Sequence, residues 1–167
     1  MPAELMFTKA ATMQHIEAVE VLANEIWPAH YTPIIGREQV VYMLARFQSA
    51  QAISEQIALG CLYFLIEEEG QRIGYISVQP KDNELFLSKI YLLLSYRGKG
   101  HGRRAVWFAE GLAKENGLRK IGLTVNRNNA LAIKAYEAIG FKTVEAVVQD
   151  IGNGFVMDDY KMEKIVL

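Results

Sequence analysis

Arg97-Gly98-Lys99-Gly100-His101-Gly102-Arg103-Arg104 lies between an apolar strand-like run, Leu85 to Leu94, and an amphipathic helix-like run. Three glycines alternate over five positions, and four of the eight residues are Lys or Arg, with no acid among them. Glycine lets main-chain N–H groups approach a ligand closely, and a helix N-terminus carries partial positive charge. Together they make an anion cradle, with phosphate the natural occupant. Cations in a first helical turn oppose the helix dipole, a local cost that a bound polyanion offsets. The same residues also suit a bare strand-to-helix turn with solvated charges, so the reading turns on the rest of the chain.

Upstream of this stretch, Glu4 to Ala10 reads as a short strand. Met13 to Ile26 reads as a helix on the mainly helical period of Ile16, Val19, Val21, Leu22 and Ile26, with Thr12 as N-cap and Trp27-Pro28 as its stop. Ala29 to Gly36 is expected as a loop holding His30, Tyr31 and Pro33. Helices are expected over Arg37 to Phe47 and over Ala50 to Leu59, the latter stopped by Gly60. The period then changes to that of strands: Cys61 to Glu68 and Arg72 to Gln79, joined at Glu69-Gly70-Gln71, then Leu85 to Leu94 after a turn at Pro80 to Asn83. Downstream, Gly100 to Asn116 is a helix with a buried stripe of Ala105, Val106, Ala109, Leu112 and Ala113, and Gly117 ends it. Lys120 to Val125 is a strand, Ala130 to Ile139 a helix ended by Gly140, and Phe141 to Val148 and Phe155 to Ile165 are strands around Gly152-Asn153-Gly154. This order predicts an α/β (α+β) domain over residues 1–167, with a central mixed, mostly antiparallel, twisted sheet of about seven strands and helices on both faces.

The 167 residues suffice for one domain with a real core. A formal net charge of -1 argues against a general nucleic-acid binder, so the basic cluster reads as a local site. Cys61 is the only cysteine, which excludes an intramolecular disulfide and a cysteine metal framework and suits a reducing cytoplasm. His15, His30 and His101 show no metal-ligand spacing. Met1 to Met6 carries Glu4 and has no signal pattern, and no apolar run approaches a membrane span.

Three phosphate motifs can be tested against the glycines. A Walker A loop is absent. A dinucleotide fingerprint needs Gly-x-Gly-x-x-Gly and an acid about 20 residues later, whereas the spacing here is Gly-x-Gly-x-Gly, and Gly122 to Val125 offers no acid. Arg/Gln-x-x-Gly-x-Gly/Ala between strand and helix fits at Arg97, Gly100 and Gly102. That match resembles the pyrophosphate-binding motif of the GNAT superfamily of N-acetyltransferases. Asn129-Ala130-Leu131-Ala132-Ile133-Lys134-Ala135-Tyr136-Glu137-Ala138-Ile139-Gly140-Phe141 resembles the second family signature, Asn-x-x-Ala-x-x-x-Tyr-x-x-x-Gly-Phe, at every fixed position.

The resemblance implies acetyl transfer from acetyl-CoA (coenzyme A), held without a metal, to an amine. It implies that main-chain N–H groups of Arg97, Gly98, Lys99, Gly100, His101, Gly102 and Arg103 hold the pyrophosphate, with Arg97 and Arg103 or Arg104 adding charge-assisted bonds. It further implies that Ile90, Tyr91 and Leu92 bond the pantetheine through main chain, and that the Leu92 N–H faces the thioester oxygen. Asn129 matches the asparagine on the cofactor arm and equally suits a helix N-cap. Tyr136 matches the general acid; a phenol of pKa about 10 can protonate a thiolate of about 8.5 only when close and aligned. Packing of Ala132, Tyr136 and Ile139 on one helix face is the competing reading.

No general base is evident. Many relatives carry Glu in the strand before the loop. Here the strand reads Leu85-Phe86-Leu87-Ser88-Lys89-Ile90: Ser88 is no strong base, Lys89 is a poor one unless strongly desolvated, and Glu84 reads as a solvated strand end. For the acceptor, the resemblance points to Trp27, His30 and Tyr31, with Tyr42, Asp150, Asp158 and Asp159 as further candidates. Aromatic faces with carboxylates suit a cationic amine; core packing for Trp27 and Tyr42 and a turn for the aspartates are the plainer readings. Trp27 to Phe47, Gly74-Tyr75 and Gly154 to Met162 look like the bacterial polyamine-acetyltransferase branch, which implies a small primary amine or polyamine as partner, and a homodimer is among the assemblies it implies. A CoA-state sensor without turnover and a peptide or protein N-acetyltransferase are the alternatives.

Overall fold

The computed structural model describes residues 4–166. In chain order the elements are β1 (Leu5–Lys9), α1 (Met13–Ile35), α2 (Arg37–Phe47), α3 (Ala50–Ala58), β2 (Leu62–Glu68), β3 (Gln71–Lys81), β4 (Glu84–Leu92), α4 (His101–Glu115), β5 (Lys120–Asn126), α5 (Ala130–Ile139), β6 (Lys142–Gly152) and β7 (Phe155–Ile165). The strands form one seven-stranded mixed sheet in the order β1-β2-β3-β4-β5-β7-β6. Pairing is antiparallel for β1–β2, β2–β3, β5–β7 and β6–β7, and parallel for β4–β5 over Glu84↔Lys120, Leu85↔Ile121 and Phe86↔Gly122. The expected fold class is therefore the observed one.

Chain contacts group into two compact units: residues up to Gln79 together with Lys89–Val106, and Pro80–Ser88 together with residues from Trp107 onward. The first unit buries Val19, Ile26, Val40, Ile53, Leu65, Ile66, Ile73, Ile76 and Val78. The second buries Leu85, Ala109, Ala113, Ile121, Leu123, Phe141 and Met162. Each fully buried large apolar side chain contributes about 1.5–3 kcal/mol. The β2–β3 turn places Glu69 at φ 50° and Gly70 at φ 79°, and the β6–β7 turn places Asn153 at φ 56° and Gly154 at φ 80°. Two successive left-handed residues match the strand twist, which is why these short polar sequences close hairpins.

One expectation is corrected. Helix α1 does not stop at Trp27-Pro28 but continues to Ile35, with Pro28 and Pro33 inside it, so His30 and Tyr31 are helical and not in a loop. Each proline removes an N–H and frees the carbonyl four residues earlier, at Asn24 and Ala29. Pro28, Pro33, Asn24 and Ala29 are all exposed, so water can bond those carbonyls. The opposite side of the helix is held by packing of Trp27 and Tyr31, described below, and packing overrides the local penalty. Gly36, at φ 85°, is the actual stop, and its N–H bonds Thr32 O at 3.0 Å. Smaller differences are that β3 runs through Pro80 to Lys81, leaving the turn to Asp82 and Asn83, and that β6 runs on to Gly152.

Candidate active site

In the first unit, β4 ends at Leu92 and a short helical turn, Leu94–Tyr96, leads into the glycine stretch. Gly98 and Gly100 have φ of 74° and 82°, backbone that other residues rarely adopt. Helix α4 opens at His101 with no acidic residue in its first turn. Its first internal bond is Arg104 N to Gly100 O at 3.2 Å, so the N–H groups of His101, Gly102 and Arg103 lie ahead of the helical ladder.

The cations of this stretch have different fates. Lys99 Nζ sits 5.5 Å from the Tyr96 ring centre. Arg97 folds back: its Nε donates to Leu92 O at 3.3 Å and its Nη1 lies 3.3 Å from His30 Nδ1. Arg103 is exposed, whereas Arg104 Nη1 is buried with no hydrogen-bond partner among the described residues. His101 is 4% exposed, and its Nε2 lies 2.6 Å from Glu68 Oε2, so its side chain is turned to β2 and only its main chain can serve an anion at the loop.

Arg97 also settles the state of His30. Burial first, and the Arg97 charge second, hold the imidazole below its ordinary pKa. A guanidinium can only donate, so Nδ1 accepts and the neutral ring carries its proton on Nε2. His30 is therefore a donor and not a base. Its ring stands edge-on to Tyr31 at 4.5 Å. Tyr31 and Tyr91 share a hydroxyl hydrogen bond of 2.8 Å, and Trp27 packs against both rings at 5.3 Å. Trp27 itself is 3% exposed, so it backs this aromatic wall and does not line its surface.

Behind the wall runs a chain of hydrogen bonds. Trp27 Nε1 donates to Tyr75 OH (2.9 Å), Tyr75 OH to Gln48 Oε1 (2.5 Å), Gln48 Nε2 to Tyr63 OH (3.1 Å), Tyr63 OH to Gln56 Oε1 (2.5 Å) and Gln56 Nε2 to Phe47 O (2.8 Å). The indole is donor-only and the terminal carbonyl acceptor-only, so every proton in the chain has one direction. Burial raises both phenols well above their ordinary pKa. The partners come from α1, β3, the α2–α3 turn, β2 and α3, so this polar core locks their mutual placement.

Lys89, half-buried on β4, lies 5.8 Å from the Tyr63 ring centre, and burial lowers its pKa to about 8. A lysine depressed in the folded state binds fewer protons than the unfolded chain between about pH 8 and 10.5, so stability rises with pH across that window. Lys89→Met is expected to raise the melting temperature at pH 7 by a few degrees, with the gain gone by about pH 10.5; scanning calorimetry across that range checks it.

In the second unit, Asn129 is the N-cap of α5, its Oδ1 accepting from Ala132 N at 3.3 Å. Tyr136 is half-buried, so it is not simply core. Gly140 ends α5 in the left-handed region, which lets Phe141 N bond Tyr136 O at 3.0 Å and drives Phe141 inward against the tyrosine ring, edge-on at 5.5 Å. The Gly-Phe signature thus orients Tyr136. The three candidate aspartates part company. Asp150 Oδ1 accepts Gly152 N at the exposed turn, Asp158 pairs with Arg127 at 2.9 Å, and Asp159 is buried.

Glu84 is a correction. It is not a solvated strand end: its side chain is 12% exposed and lies over Gly122, and its Oε2 is 3.3 Å from Lys161 Nζ. The missing β-carbon at Gly122 makes room for the carboxylate, and Lys161 supplies the charge.

Three features escaped sequence reading: the buried nitrogen of Arg104, the depressed Lys89 and the contact at Gly74. A Cβ on Gly74 would overlap the Tyr91 carbonyl oxygen. For that last one a signal existed, since a lone glycine inside an apolar strand marks close backbone approach.

A sequence model of the Acetyltransferase (GNAT) family matches residues 19–141. Among curated proteins, the chain is 38% identical over 67 residues to the chloroplastic GCN5-related N-acetyltransferase 4 of Arabidopsis thaliana, a match covering 40% of this chain and 23% of that protein. It is 21% identical over 135 residues to the aminoglycoside N(6')-acetyltransferase type 1 of Salmonella enteritidis, covering 80% of this chain and 90% of the relative. Among solved structures, the PaiA N-acetyltransferase of Thermoplasma acidophilum, in complex with coenzyme A, superposes with a TM-score of 0.78 at 24% identity over 99% of both chains. No helix among the described residues is long and apolar enough to cross a membrane.

Proposed function

Because this chain belongs to the GNAT acetyltransferase family and is an N-acetyltransferase that uses acetyl-CoA, we propose that it delivers the acetyl group to a small primary amine, a polyamine being the first acceptor to test, by direct attack of the amine on the thioester. The supporting observation is the start of α4. Two left-handed glycines and a buried Arg104 Nη1 with no acceptor stand where a diphosphate would be held. An unmet guanidinium donor is costly by itself, and an anionic ligand removes the cost.

In this reading the main chain from Arg97 to Arg103 grips the diphosphate, with Arg104 as the charge-assisted partner because Arg97 is engaged by Leu92 O and His30. Main-chain groups of Ile90 and Tyr91 hold the pantetheine arm. The Leu92 N–H stabilises the oxygen of the tetrahedral intermediate, which costs no reorganisation when the donor is fixed in a strand. Asn129 caps α5, and the family signature that it opens assigns Asn129 a contact with the cofactor arm and Tyr136 the return of a proton to the departing thiolate. His30 and Tyr31 present the surface of the acceptor wall, with Trp27 behind them.

The test is thiol release from acetyl-CoA across polyamines, amino acids, aminoglycosides and peptides. Release with a small primary amine is expected, and release with peptides alone would overturn the acceptor class. Tyr136→Phe is expected to lower kcat by about a hundredfold while leaving acetyl-CoA affinity within about twofold. Steady-state kinetics with calorimetric binding checks this, and equal kcat would remove Tyr136 from the chemistry.

A further inference from the structure

The half-buried guanidinium that follows β4 is bonded in two directions. Arg97 Nε donates to the Leu92 carbonyl oxygen at 3.3 Å, and Arg97 Nη1 donates to His30 Nδ1 at 3.3 Å. A guanidinium carries its N–H groups in a rigid planar fork, so two such bonds fix the partners relative to each other. The stem of the fork is set as well, because Arg97 N bonds Leu94 O at 3.2 Å and closes the short helical turn. Both side-chain bonds go to neutral acceptors of the protein itself.

The two partners belong to different parts of the proposed chemistry. Leu92 closes β4, and its carbonyl shares a peptide plane with the Leu93 N–H, which bonds Ile73 O at 2.8 Å. That plane is therefore held by β3 at its nitrogen and by Arg97 at its oxygen. A peptide plane is rigid, so pinning the one after Leu92 removes the ψ freedom of Leu92 and steadies the N–H on its other side. His30 belongs to the aromatic wall: its ring stands edge-on to Tyr31 at 4.5 Å, and Tyr31 shares a hydroxyl hydrogen bond of 2.8 Å with Tyr91. Tyr91 is the residue before Leu92. The contacts thus close a ring through Leu92, Arg97, His30, Tyr31 and Tyr91, all within the first unit.

We propose that Arg97 is a positioning residue for acetyl transfer: a strut that sets the acceptor wall against the Leu92 amide, acting through Leu92 and His30 and not through the phosphates of acetyl-CoA. This deepens the acetyl-transfer reading above and rests on it. An amide that stabilises a developing oxyanion works only at close range, and a displacement of about 1 Å costs up to about a hundredfold in rate. Loosening the strut therefore acts on turnover, whereas the loop amides and Arg104 still meet the diphosphate. The fork also fixes the His30 tautomer, since Nδ1 accepts and Nε2 keeps the proton. Around that ring stand Arg97 from the turn after β4, Tyr31 from its own helix and, bonded to Tyr31, Tyr91 from β4.

Two variants separate a strut from a phosphate ligand. Arg97→Lys keeps the positive charge that would serve a phosphate, but a single ammonium cannot replace a fork with two partners. Arg97→Met keeps the stem and drops the charge. Both are expected to melt within a few degrees of wild type. On the amine that wild type acetylates fastest, both are expected to lose about tenfold or more in kcat, with calorimetric acetyl-CoA affinity within about threefold of wild type. The opposite pattern overturns the proposal: Arg97→Lys near wild type in kcat, and Arg97→Met weakened about tenfold or more in acetyl-CoA affinity. The second measurement needs no acceptor. Long-range 1H–15N spectra, with His30 assigned by comparison with His30→Gln, are expected to show the Nε2–H tautomer in wild type and a tautomer mixture in Arg97→Met. His30 in that variant is also expected to titrate at higher pH, because burial and then the Arg97 charge hold its pKa down and the charge is gone. An unchanged tautomer and midpoint overturn the strut. Wild-type inactivity with every amine overturns the acceptor reading instead, and the His30 spectra then decide the strut by themselves.

Discussion

Gly74→Ala is expected to cut turnover by about a hundredfold or more while leaving the chain folded. A β-carbon there would overlap the Tyr91 carbonyl oxygen and stand 3.0 Å from Leu92 Cδ2 and 3.1 Å from Leu92 Cα. The obstacle is main chain, so no rotamer relieves it. Nor can β4 lift freely, because Leu93 N is bonded to Ile73 O at 2.8 Å, next to the substituted position. The strain must move the Tyr91–Leu92 peptide, which carries the proposed thioester-oxygen donor. Such donors work only within about 2.7–3.1 Å of the developing charge, and losing one costs about 10²–10³ in rate. The stability loss from crowding is about 1–3 kcal/mol. Single-turnover thiol release beside thermal melting separates the two effects. Unchanged turnover would remove the Leu92 amide from the mechanism.

Gly100→Glu is expected to weaken acetyl-CoA binding by more than about a hundredfold. A Cβ at Gly100 meets nothing within 4 Å, so packing is not the cause. The φ of 82° costs about 1–3 kcal/mol in backbone strain, partly offset because a carboxylate at a helix start is favourable. That same carboxylate would occupy the amides meant for the diphosphate and repel it. Two unit charges about 4 Å apart interact by about 4 kcal/mol near a protein surface, which exceeds the loss claimed. Gly100→Ala shares the strain without the charge and is expected to bind between the two. Calorimetry with acetyl-CoA reads both, and unchanged affinity for the glutamate variant would dismantle the anion cradle.

The fold was legible wherever local chemistry dictates conformation. Glycines at Gly60, Gly117 and Gly140, the Asn129 cap and the two short hairpins announce their own geometry, and both motifs sit where strand gives way to helix. Helix α1 was misjudged because a proline penalty is local whereas the packing that outweighs it, Trp27 on Tyr75 and Tyr31 on Tyr91, joins residues 48 and 60 positions apart. Glu84 was misjudged for the same reason. Its burial depends on the empty β-carbon site of Gly122 and on Lys161, neither predictable from its neighbours. Asp159 resembles Asp150 and Asp158 in sequence; only the folded chain shows that Asp150 lies at a turn, Asp158 is paired with Arg127 and Asp159 is buried.

The overlap between Glu84 and Gly122 has an evolutionary reading. The two positions share one volume, so a lineage that acquires any side chain at 122 must shorten or discard the acid at 84, and Lys161 then loses one of its two carboxylate partners, keeping only Glu163, and is freer to drift as well. Residues 84, 122 and 161 are thus expected to change as a trio among descendants of this chain. A descendant found with alanine at 122 and an intact glutamate at 84 would need a wider gap between β4 and β5 than this sheet has.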